Sequence, residues 1–75
     1  MNYKAYLKKL LRLTVKQRIE VFELQSTSML EKFWNRLEFS IVNYKTEGFP
    51  KRKLMSLYKL VETEIYVRRC NETLA

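Results

Sequence analysis

The chain has 75 residues, 47% hydrophobic and 13% aromatic, with 15 Lys and Arg against 8 Asp and Glu for a formal charge of +7. Such a chain makes one domain that closes a small core but buries only about 60% of the surface it exposes when unfolded. Its sign excludes a DNA mimic and favours nucleic acid, anionic lipid or an acidic protein surface as partner. A single cysteine, Cys70, cannot form an internal disulfide, so an intracellular, cytoplasmic protein is expected. The longest uncharged stretch, Leu24 to Leu30, is too short to span a bilayer, and the charged N-terminal residues do not resemble a signal peptide.

The first segment carries Tyr3, Tyr6, Leu7, Leu10 and Leu13 on one helical stripe, with Lys4, Lys8 and Arg12 opposite and Lys9 on the flank. An isolated basic amphipathic helix suggests a membrane surface. Here a folded partner is available for the apolar stripe, so docking on a neighbouring helix is favoured over lipid.

From Val15, Ile19 and Phe22 through Ser26, Met29, Leu30, Phe33, Leu37 and Ile41 to Tyr44, apolar positions keep a 3.6-residue phase and predict helix over 15–45. Thr14 with Gln17 reads as a capping box, and Ser28 with Glu31 as a second, so a break at 26–28 competes with one continuous helix of ~46 Å. Unbroken phase tips the reading slightly toward continuity. A second apolar set, Val21, Leu24, Phe39 and Val42 with Trp34 at its margin, demands neighbours on both sides. Overhang of so long a helix predicts a homodimer unless the chain folds back at the serines. A helix-turn-helix with QSTS as its turn is a weak match, because its second helix offers Phe33, Trp34 and Leu37 instead of polar groups for base edges.

The chain's only glycine and only proline fall together in TEGFP, Thr46 to Pro50. Gly48 suits a left-handed helix C-cap, and Pro50 suits the first residue of a following helix, so 46–50 reads as a helical corner. The last helix then covers 50–71, roughly 33 Å, with Leu54, Leu57, Tyr58, Val61 and Ile65 inward and Asn71 to Ala75 fraying. Strands at Phe39 to Tyr44 or Glu64 to Val67 would need turns the sequence lacks. The fold class expected is all-α: a small bundle of three helices with a long central one, or four if it breaks at 26–28.

Histidine is absent, which removes the usual general base and the commonest metal ligand. Cys70 beside Arg68 and Arg69 has no partner and reads as an incidental thiol. No phosphate loop, dinucleotide fingerprint or metal-ligand spacing occurs, so no enzyme, cofactor or metal site is expected. The basic clusters carry the functional expectation: Lys51, Arg52, Lys53, Lys59 and Tyr66 in the last helix, with Lys4, Lys8 and Arg12 in the first, form a non-enzymatic surface for nucleic-acid phosphates. The alternative is a protein-binding module, an inhibitor or adaptor of the kind mobile elements encode. It would use Trp34, Phe39 and Val42 as the contact for self-association or for an acidic partner.

Overall fold

A computed structural model describes the backbone of residues 2–74 and the side chains of residues 2–72. Four helices follow in order: α1 (Tyr3–Leu11), α2 (Val15–Leu24), α3 (Thr27–Val42) and α4 (Lys51–Leu74). No strand occurs among the described residues, and both segments rich in β-branched and aromatic residues are helical at Phe39 to Val42 and Glu64 to Val67.

Side-chain caps start the first three helices. Asn2 accepts from the Lys4 and Ala5 amides at 2.9 and 3.4 Å. Thr14 and Gln17 form the capping box that their spacing predicts, with bonds of 3.0 and 3.2 Å. Ser26, not Ser28, caps α3 by accepting from the Met29 amide at 3.2 Å.

The chain therefore breaks at Gln25 and Ser26, and the continuous central helix over 15–45 does not form. Both residues are extended, with ψ of 150° and 155°. The break is stabilised from far along the chain. Arg68 donates to the Phe22 and Glu23 carbonyls at 3.0 and 3.1 Å, to Thr27 Oγ1 at 3.2 Å, and to Glu64 Oε1 at 2.9 Å. Carbonyls released by ending α2 are thus satisfied by a charged fork, which makes the break less costly than the helical phase alone implies. Arg18 does the same for α1, donating to the Leu10 and Leu11 carbonyls at 2.8 and 3.3 Å.

The corner between α3 and α4 also departs from the expected form. Tyr44, with φ of 56°, occupies the left-handed position after α3, and the Lys45 amide reaches back to the Ser40 carbonyl at 3.0 Å. Glu47 and Gly48, with φ of 55° and 86°, then occupy the centre of a turn closed by Phe49 N–H to Thr46 C=O at 3.0 Å, the φ pattern of a type I′ turn. Gly48 is therefore a turn residue and not the helix cap. Pro50 precedes α4, its carbonyl accepting from Lys53 and Leu54 at 3.0 and 3.4 Å. Because a Cβ on Gly48 would meet nothing within 4 Å, only the backbone conformation resists substitution. Gly48→Val is expected to cost about 1 kcal/mol or more, seen as a lowered Tm; an unchanged Tm would mean the turn does not need a left-handed residue there.

The core consists of Leu7, Leu10, Phe22, Leu30, Leu37, Leu54, Leu57, Val61 and Ile65, all buried. α4 is its spine: 24 residues in a molecule 41 Å in longest extent, running antiparallel to α3 and packing also on α2. The helix continues to Leu74, beyond the 50–71 that the sequence predicts, and Ala75 of the segment expected to fray lies outside the described residues. Tyr3 and Tyr6 of α1 meet Phe33 edge-on, at 6.1 and 5.0 Å between ring centres. Val15 and Met29 are exposed although they share the phase of Phe22, Leu30 and Leu37, because the two halves of the expected helix pack separately once the chain folds back at Ser26. Folding back also removes the overhang from which the long helix predicts a dimer. No helix among the described residues is long and apolar enough to cross a membrane.

Candidate functional site

Two arginines contribute little to the surface field because they serve the fold: Arg18 and Arg68 are engaged at helix C-termini. The other cations are distributed unevenly. Tyr3, at the start of α1, shares a hydrogen bond of 3.1 Å with Ser40 near the end of α3, 37 residues away. That contact brings the start of α1 to the end of the bundle where α3 stops and α4 begins. Burial pushes the Tyr3 phenol up, Ser40 and Arg36 pull it back, and the Glu47 carboxylate adds to the rise, so the turn lies within electrostatic reach of α1.

This end gathers Lys4 from α1, Arg36 from α3, Lys45 from the corner, and Lys51, Arg52 and Lys53 from the first turn of α4, all exposed. Three of these cations lie against rings. The Arg36 guanidinium is 4.7 Å from the Tyr3 ring centre, Lys51 Nζ is 4.5 Å from that of Tyr44, and Lys45 Nζ is 5.9 Å from that of Phe39. Among the described residues none of the six has an acid within ion-pairing distance, and the acid placed in the corner itself is Glu47. Ion pairs lie at the opposite end, Arg68 with Glu64 at 2.9 Å and Arg69 with Glu31 at 3.4 Å.

The site residues that the sequence predicts are not all brought together. Lys51, Arg52, Lys53 and Lys4 share the corner end, while Lys8 and Arg12 continue the exposed face of α1 away from it. Lys59 and Tyr66 lie elsewhere, along α4, with Glu62 between them. Lys59 shares a cleft with Glu38 and Glu62, and Tyr66 shares one with Glu62 and Arg69, so a purely basic track along α4 does not exist. Sequence reasoning missed Arg36, Lys45 and Tyr44. Lys45 is visible as one more cation beside the PKRK cluster. Helical phase points Tyr44 inward, but its ring faces out because the chain leaves the helix just before it.

Of the residues expected at a protein contact, Trp34 is half-buried and stacked on Tyr58, ring centres 5.6 Å apart and planes at 27°. Its Nε1 is buried without a hydrogen-bond partner. Phe39 and Val42 are 50% and 66% exposed. A mainly apolar cleft of about 440 Å³ opens beside Trp34 and Tyr66. Cys70 is exposed, and no cluster of metal-ligating side chains forms among the described residues. Set against protein-family models, curated proteins and solved structures, the chain finds no match.

What the corner offers chemically is a set of cations with no acid in ion-pairing distance among the described residues. Cations without acids hold phosphates, and exposed rings among them offer faces to unpaired bases. Lys51, Arg52 and Lys53 also surround a helix start, where the macrodipole makes each cation unfavourable by roughly 0.3–1 kcal/mol. An anion relieves that repulsion.

Proposed function

We propose that this is a non-enzymatic accessory or regulatory protein that binds nucleic acid through the corner end of the bundle. The observation that carries this reading is the Tyr3 to Ser40 contact, which brings the basic start of α1 to the same end as Lys51, Arg52 and Lys53. Charge clusters far apart in the chain thereby act as one surface. Lys45 and Arg36 enlarge it, and Lys8, Lys9 and Arg12 extend it along α1. Tyr44, 76% exposed, supplies a ring for stacking. That combination suits an unpaired strand, whose bases expose their faces, better than the grooves of a duplex.

The test replaces Lys51, Arg52 and Lys53 together with glutamine and compares this variant with Lys59→Gln. The triple change is expected to leave helicity and Tm intact or slightly raised, because it removes cations from a helix start. It should weaken binding to a fluorescent single-stranded oligonucleotide by about tenfold or more at 50 mM salt, the effect of leaving on the order of three phosphates without their cations. Lys59→Gln should change binding far less. Equal binding by the triple variant and wild type would reduce PKRK to a solvated helix start and remove this reading.

A further inference from the structure

One flank of α4, beside its clefts with α3, carries four exposed residues, Met55, Lys59, Glu62 and Tyr66, within a sector of about 60° at 100° per residue. Their separations of four, three and four positions read the same in both directions, about a point midway between Leu60 and Val61. Chemistry follows the same symmetry with opposite charge. The outer pair is a thioether and a phenol ring, and the inner pair an ammonium and a carboxylate. Among the described residues neither Lys59 nor Glu62 has an ion-pair partner in its own chain.

We infer that this stripe is the contact for a second copy of the same chain, packed antiparallel about a two-fold axis that passes between Leu60 and Val61. In that register Met55 of each copy lies over Tyr66 of the other, a sulfur–ring contact. Each Lys59 meets the other copy's Glu62, so the two unpaired charges are satisfied twice over. A two-fold contact of this kind is closed and uses one patch on both chains. Val42, which shares a cleft with Met55, widens the apolar part of the patch. At the outer ends Arg52 approaches the region of the other copy's Arg69, whose charge is opposed by Glu31 of its own chain.

Antiparallel packing sets the two Lys51 to Lys53 clusters at opposite ends of the pair, roughly 25 Å apart along the helices at 1.5 Å per residue. A dimer would thus present two phosphate-binding ends. Self-association does not depend on that function, because none of the four stripe residues is among the six cations of the corner, and failure of either leaves the other standing.

Sedimentation equilibrium on wild type, Lys59→Glu, Glu62→Lys and an equimolar mixture of the two variants tests the contact. All substitutions fall on exposed positions. Wild type should self-associate, and each variant alone should do so at least about tenfold more weakly, because both inner layers then oppose like charges. The mixture should recover wild-type association, since every inner layer again sets a carboxylate against an ammonium. A wild type that stays monomeric overturns the inference and leaves the stripe to a different protein or to solvent. Variants that associate as wild type does, or a mixture that does not associate, place the contact elsewhere and overturn it too.

Discussion

Phe22→Ala is expected to lower Tm by roughly 15 °C or more and to leave the chain barely folded at 37 °C. Phe22 is 1% exposed at the centre of the core, and its ring packs against Phe33 at 6.1 Å between centres. Truncation removes the ring's packing and leaves a cavity that rigid neighbours close only in part, a loss of about 3–5 kcal/mol. Domains of this size hold on the order of 4–11 kcal/mol in total, and each kcal/mol is worth about 4–8 °C. Thermal unfolding followed by circular dichroism checks the expectation. Val15→Ala is the control, because Val15 shares the sequence phase of Phe22 yet is 54% exposed, and it should change Tm by no more than a few degrees. Equal effects at the two positions would mean that α2 buries a different face.

The second large effect belongs to a charged residue. Arg68→Met should destabilise by about 2–3 kcal/mol although it keeps most of the side chain's apolar volume. The Arg68 side chain is 19% exposed, and its guanidinium joins α4 to two carbonyls at the end of α2, to Thr27 at the start of α3, and to Glu64. Removing it leaves all of these short of a donor, and the cost lies in the polar groups left behind. Arg52→Met is the comparison: Arg52 is exposed on the same helix with no ion pair among the described residues, and the change should stay within about 0.5 kcal/mol. Denaturant unfolding of the two variants gives the difference directly. If they lose stability equally, the fork of Arg68 does not hold the break between α2 and α3.

Arg68 also marks where local sequence patterns cease to be informative. Its pair with Glu64 is legible as an i,i+4 spacing, and so is the capping box of Thr14 and Gln17. Both are local. The break at Ser26 depends on a guanidinium more than 40 positions away, and no periodicity reveals it, because a chain that breaks for two residues and resumes helix can keep its apolar phase. That α1 docks through its apolar stripe is legible, but which end of the bundle its start reaches is not: Tyr3 meets Ser40, a pairing of two hydroxyls with no pattern to announce it. Composition shows that Lys51, Arg52 and Lys53 are concentrated. It cannot show that Lys4 joins them, which follows from packing, whereas Glu62 between Lys59 and Tyr66 on one helix face is legible from spacing at 100° per residue. Gly48 illustrates a different limit: scarcity marks the corner correctly, but Tyr44 takes the left-handed cap, leaving the glycine to a turn four residues on.

The most direct measurement of the central claim is the affinity of wild type for a fluorescent single-stranded oligonucleotide as salt is raised from roughly 50 to 300 mM. Six cations gathered at the corner, each displacing a condensed counterion at ~0.7 per phosphate, predict a slope of log K against log [salt] of about −4, and the glutamine triple variant should make it shallower by about 2. A slope near zero, or no binding at the lowest salt, would contradict the reading of the corner as a nucleic-acid surface.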